Sequence, residues 1–258
     1  MRYSIRLSYN GSAFCGWQIQ DNAASVQGTI ETALSTLSGQ AVKLTGAGRT
    51  DTWVNAVNYI AHFEIPTGLP FKAEQLCYKM NAMLPREIVI HEILEVPDDF
   101  HARFDARSRE YCYFVHFSKD PFAERFSYRL RHPLDIEVMN EAAGMLLGKH
   151  DFSCFEKTGG NNATSLCHVT EAHWSTYKPT HAEIMGAPYT EGDYMVFRIK
   201  ADRFLRNMVR AIVGSLIEVG LGKKSPAWIA ELISCGSRSD AGQSVPGNAL
   251  FFCGAEYE

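Results

Sequence analysis

The sequence predicts an α+β protein built on mixed, largely antiparallel sheet. Apolar runs of period two alternate with runs spaced three and four apart in both halves of the chain. The chain has 258 residues, enough for two units that each bury their own core. Its 46% apolar and 21% charged residues match an ordinary globular protein that needs no disulfide or metal staples.

The elements follow in order. Tyr3, Ile5, Leu7 and Tyr9 alternate as a strand that ends in the turn pair Asn10-Gly11. Ser25 can cap a helix carrying Val26, Ile30, Leu34 and Leu37, with Gly39 just past its end. A short strand at Val42–Leu44 leads into the turn Gly46-Ala47-Gly48, and Tyr59–Phe63 reads as another strand. Residues 70–83 read as helix and 88–93 as strand. In the second half, 111–117 is strand-like, and Asp135 can cap a helix through Leu147 that Gly148 stops. Residues 169–177 and 194–199 are strands, and 204–219 a long helix followed by Gly220 and Gly222. A last helix starts at Ser225-Pro226 and carries Trp228, Ile229, Leu232 and Ile233. The stretch 158–162 is a loop. The joint falls near residues 97–110, dividing the chain into αβ halves of 1–104 and 105–258.

Several classes are excluded or disfavoured. No apolar run approaches the ~18 residues of a membrane span. The alternating N-terminus lacks the apolar core of a secretory signal. Seven cysteines, an odd number without a Cys-x-x-Cys pair, point to a reducing, cytoplasmic setting. Cys154, Cys167, His168 and His173 are the nearest approach to a metal set, but strand alternation sends neighbours to opposite faces, so no metal is expected.

The net charge of −4 conceals segregation. Residues 103–131 carry seven basic and four acidic side chains, and 198–210 carry five basic and one acidic. One electropositive face of this kind suits a polyanion partner, although clusters of this size also arise on solvated helices. On the long helix, Arg203, Arg206 and Arg210 share one stripe with no interleaved acid, which favours an anionic partner. In Gly46-Ala47-Gly48-Arg49-Thr50-Asp51 a sharp turn presents an arginine and a carboxylate; Asp51 either caps the turn or serves a site. The run Phe100-His101-Ala102-Arg103-Phe104, then Arg107 and Arg109 before Tyr111, alternates arginine with aromatics. That pattern suits RNA, and equally a half-buried strand.

Taken in order, these pieces resemble the tRNA pseudouridine synthase A (TruA) family. The matching residues are Tyr9-Asn10-Gly11, Gly16-Trp17-Gln18, Ser25-Val26-Gln27, Ala47–Asp51, Asn81–Pro85, Phe100–Phe104, Arg109–Tyr113 and Phe204–Gly214. The resemblance implies a pseudouridine-synthase-like fold of two αβ halves with the active-site cleft between them, a homodimer, and no metal or organic cofactor. It implies a tRNA-uridine isomerase acting in the anticodon stem-loop, at tRNA positions 38, 39 and 40. Residue by residue, Asp51 falls on the catalytic aspartate, Tyr111 on the tyrosine that stacks on the uracil, and Arg210 on the arginine that pairs the carboxylate. Arg49 falls on an arginine associated with opening the RNA, and Arg103, Arg107, Arg109, Arg203 and Arg206 are candidate RNA contacts. The alternative is a catalytically weakened RNA-binding paralogue.

The residue types suit the chemistry. Breaking a uridine N1–C1′ bond builds positive charge at C1′ and negative charge on the uracil. A carboxylate can trap that centre or take a sugar proton, and a nearby arginine keeps it ionised. The sequence departs from the family run Asp-Ala-Gly-Val-His at Thr52-Trp53 and Asn55. Trp53 stands where glycine allows positive φ, and it either packs on a neighbouring strand or stacks on an RNA base and sets a target preference.

Overall fold

The computed structural model describes residues 1–159 and 163–257, so residues 160–162 of the expected loop lie outside the described residues. The chain divides into two compact units, 1–109 with 251–258, and 110–250.

The first unit runs β1 (Arg2–Tyr9), α1 (Val26–Ser38), β2 (Leu44–Gly46), β3 (Asn55–Glu64), α2 (Ala73–Met83) and β4 (Ile88–Val96). β1 lies antiparallel between β3 and β4, with Ile5 opposite Ala61 on one side and Ile93 on the other. Strict alternation along β1 buries Tyr3, Ile5, Leu7 and Tyr9 and leaves its arginines and serines on the outer face. α1 starts where Ser25 accepts the Gly28 N–H and ends at Gly39 in the left-handed conformation. Its Val26, Ile30 and Leu34 are buried. β2 begins two residues later than its apolar run, because the Val42 N–H is taken by the Ser35 hydroxyl rather than by a strand.

The second unit runs β5 (Ser108–His116), β6 (Tyr128–Arg129), α3 (Ile136–Gly144), β7 (Gly148–Asp151), β8 (Leu166–Thr176), α4 (Thr180–Glu183), β9 (Tyr194–Ala201), α5 (Met208–Gly220) and α6 (Trp228–Cys235). β5 enters it from the last two residues of the first unit. The strand order is β5-β9-β8-β7, with β8 antiparallel to both neighbours, and β6 beside β5. Asp135 caps α3 by accepting the Glu137 and Val138 N–H groups. α5 is buried almost all round, so it is the core helix of this unit rather than a surface helix.

The long helix and its arginines depart from the expected arrangement. The long helix starts at Met208, not near residue 204. Asn207 adopts φ +63, a left-handed bend that prevents the helix from extending back through it. Arg203 and Arg206 therefore do not share a helical stripe with Arg210. The last strand, β10 (Leu250–Glu256), has no counterpart in the sequence reading. It pairs parallel with β3, Phe251 opposite Asn55, on the edge that β2 also uses.

Candidate active site

Asp51 lies in the connection between β2 and β3, and the structure shows why this turn has one shape. The Ala47 N–H donates to the Ile60 carbonyl at 2.9 Å. The Tyr59 hydroxyl donates to the Gly48 carbonyl. The Thr50 carbonyl accepts the Trp17 N–H at 3.1 Å, and the Thr50 hydroxyl lies 2.8 Å from that of Tyr9. The rings of Tyr9, Trp17 and Tyr59 pack together beneath, with Trp17 and Tyr59 centroids 4.2 Å apart. Beyond Asp51 the Val54 N–H returns to the Asp51 carbonyl at 3.2 Å, closing a tight turn. Buried Asn55 then accepts the Gly11 N–H at 2.9 Å.

This scaffold absorbs most of the motifs singled out above. Gly11 has to be glycine, because a Cβ there would lie 2.2 Å from the Val54 carbonyl oxygen. Gly16 and Trp17 receive the N–H groups of Val26 and Gln27 on their carbonyls. The Gln27 amide donates to the Leu44 carbonyl at 3.0 Å. α1, β2 and the first loop are thus tied to the segment that carries Asp51. The sequence alone does not single out Tyr9, Trp17, Tyr59 or Asn55 as supports of the site. The alternation of β1 did point Tyr9 inward, but nothing local connects Tyr59 with Gly48.

Asp51 is half-buried and Arg49 is exposed. Thr52 and Trp53 follow on the outside of the turn. Trp53 has φ +68 and is 54% exposed. The backbone keeps a bend that ordinarily favours glycine, and the indole is not packed away on a neighbouring strand.

The arginines that the sequence groups together separate by environment. Arg109 is only 9% exposed. Its guanidinium donates to the carbonyls of Ala106 (2.8 Å), Ala47 (3.2 Å from Nη2 and 3.4 Å from Nε) and Arg103. It fastens the start of the Asp51 loop to the turn of residues 101–106. Arg103 and Arg107 are exposed, and the Arg103 guanidinium lies 5.7 Å from the ring centre of Phe104, which is itself open to solvent. Behind that turn, buried His62 accepts the Ala102 N–H at 3.0 Å. Burial, helped by the nearby His101 and Arg2 side chains, pushes its pKa down to about 4.

In the second unit, Tyr111 on β5 is 7% exposed and meets Phe204 edge to face at 5.0 Å. Arg210 lies in the first turn of α5, its Nε donating to the Val245 carbonyl at 2.7 Å while the Val245 N–H returns to the Arg210 carbonyl. This segment runs close against α5: a Cβ on Gly214 would lie 1.8 Å from the Gln243 carbonyl oxygen. Arg203 donates to the Thr164 carbonyl at 3.2 Å, and Arg206 is exposed. Cys154 and Cys167 are buried, and burial pushes both thiols up to about 12, whereas His168 and His173 face outward from β8. Among the described residues, no helix is long and apolar enough to cross a membrane.

Comparison with known proteins adds an independent line. The family model described as tRNA pseudouridine synthase matches residues 142–258. A tRNA pseudouridine synthase A of Porphyromonas gingivalis is 45% identical over 250 residues, covering 97% of this chain and 94% of the relative. One of Parabacteroides distasonis is 46% identical, covering 99% and 96%. One of Halalkalibacterium halodurans is 39% identical, covering 96% and 90%.

Proposed function

The chain belongs to the tRNA pseudouridine synthase A family, and on that premise we propose that it isomerises uridine to pseudouridine in tRNA, in the anticodon stem-loop. The observation that carries the residue assignment is the bracing of the β2–β3 connection. A half-buried carboxylate stands on a turn fixed from behind by Tyr9, Trp17, Tyr59 and Arg109. Such fixation is what a group acting on a flipped nucleotide requires.

The N1–C1′ bond breaks, the uracil turns, and C5 joins C1′. The C5 proton is lost and N1 gains one, so nothing leaves and no redox change occurs. Asp51 is the nucleophile at the sugar, meeting the positive charge that builds at C1′. Arg210 supplies the positive charge that holds this carboxylate ionised. Tyr111 offers its face to the uracil, since a base must leave the stack before its glycosidic bond can be rearranged. Arg49 and the exposed Arg103, Arg107 and Arg206, with Arg203, contact phosphates; Arg109 positions the loop instead. The protein works in the cytoplasm as a homodimer, without metal or organic cofactor.

The deciding experiment compares the protein with its Asp51→Asn variant on bulk tRNA and maps pseudouridine. The wild type should form product. The variant should lose turnover while its tRNA affinity stays within a few-fold, because phosphate contacts supply most of it. An Asn variant with full activity overturns the role of Asp51, and binding without product from the wild type overturns the reaction.

A further inference from the structure

Trp53 combines two properties that rarely occur together. A bulky non-glycine side chain at positive φ is strained, and such strain persists only where the surroundings over-determine it. They do here. The Val54 N–H closes back on Asp51, the Trp53 and Val54 backbone lies against Gly11, and Asn55 holds the Gly11 N–H. Burial does not compensate for that strain. The indole is 54% exposed, and among the described residues it has no hydrogen bond, ring contact or cation–π partner. The other tryptophans are placed differently: Trp17 and Trp174 are buried against aromatic rings, and Lys224 lies over Trp228.

The strained, unpacked ring stands two residues after the proposed catalytic carboxylate. We propose that Trp53 is a specificity-determining residue whose indole stacks on a nucleobase next to the target uridine. The inference rests on the proposed reading of Asp51 as the group that acts on that uridine. An exposed aromatic face on a fixed backbone is a ready stacking platform, and every base offers a complementary face. A base stacked there reports on the nucleotide beside the target, so ring against ring contributes to the choice among uridines as well as to affinity.

The test uses full-length Trp53→Gly, Trp53→Leu and Trp53→Tyr, each measured for thermal midpoint, for affinity to an unmodified tRNA transcript, and for pseudouridine positions on bulk tRNA. Stacking predicts affinity weakened about five- to hundredfold in the Gly and Leu variants, and within about threefold of wild type in the Tyr variant. The Gly variant should be at least as heat-stable as wild type, because glycine adopts the bend without strain. The Gly and Leu variants should also change the relative yields at different tRNA uridines. Unchanged affinity and product map overturn the proposal, and a Gly variant that melts well below wild type overturns it by making Trp53 a packing residue. Reduced affinity with no product from the wild type overturns the reaction and leaves the stacking. Product from the wild type with affinity unmoved by all three variants overturns the stacking alone.

Discussion

Replacing Arg109 by methionine separates a positioning arginine from an RNA-binding one. Methionine keeps an unbranched, flexible side chain of comparable length and removes every donor. The guanidinium serves three carbonyls, those of Ala47, Arg103 and Ala106. Hydrogen bonds from a charged donor typically contribute about 1.5–3 kcal/mol each, and acceptors left buried add a penalty. The 3.4 Å contact from Nε to Ala47 is weak and duplicates the 3.2 Å contact from Nη2. Bonds sharing one side chain do not add fully, so the expected loss is about 3–5 kcal/mol. At roughly 2–4 °C per kcal/mol that lowers the thermal midpoint by about 10 °C. Urea and thermal denaturation measure the loss. Turnover at a temperature where the variant remains folded measures the effect on the Asp51 loop, since Ala47 lies four residues before Asp51. Arg109→Lys, whose ammonium reaches fewer carbonyls, should fall between the two. A methionine variant within about 1 kcal/mol of wild type that binds tRNA with a reduced salt slope would refute the reasoning and return Arg109 to the RNA-binding set.

Two further outcomes follow from the same structure. Arg103→Ala should lower the slope of log affinity against log salt by about one, whereas Arg109→Met should leave it unchanged; equal slopes in wild type and Arg103→Ala exclude a phosphate contact. His62 is held neutral in the folded protein, with a pKa of about 4, while the unfolded chain takes up a proton below 6.5. Its contribution to stability is therefore complete above pH 6.5 and is lost as pH falls from 6.5 to 4. Urea midpoints at pH 7 and pH 4.5 should differ less in His62→Gln than in wild type. His116, also held down by burial, keeps part of the dependence in both proteins, and an unchanged difference would exclude His62 as a contributor.

Local signals were legible and nonlocal ones were not. Ser25 with Gly39, and Asp135 at the start of α3, announced helix ends because caps are made within a few residues. β10 was invisible because its half-buried, glycine-containing run acquires meaning only beside β3. Arg109 looked like an RNA contact because arginines are seldom buried, yet its parity with Tyr111, Tyr113 and Val115 on β5 placed it on a face that the structure buries. The motif around Asp51 pointed to the loop but not to its supports, because Tyr9, Trp17 and Tyr59 meet only once β1 and β3 have paired.

Among the described residues, two non-glycine residues have positive φ, Trp53 and Asn207, and each sits beside a segment assigned to the reaction. Asn207 directly precedes α5, three residues before Arg210, and Trp53 follows Asp51 by two. Their chemistry differs. Asparagine visits the left-handed region at small cost, and its amide is held by a tertiary hydrogen bond to the Ser244 hydroxyl, so its bend needs no further reason than starting the helix at Met208. Tryptophan gains no such bond, and its exposed ring gains little burial. A residue in a sparsely populated conformation costs on the order of 1–3 kcal/mol, a large share of the ~5–15 kcal/mol that holds a protein folded. Arg49, Thr50 and Asp51 have to reach their positions between β2 and β3, and the bend at Trp53 returns the chain to Asn55 in register with Gly11. The bend thus belongs to the architecture, whereas the indole belongs to whatever occupies the solvent beside it. A glycine at that position would satisfy the first requirement alone, which is why the Gly variant can separate folding from recognition.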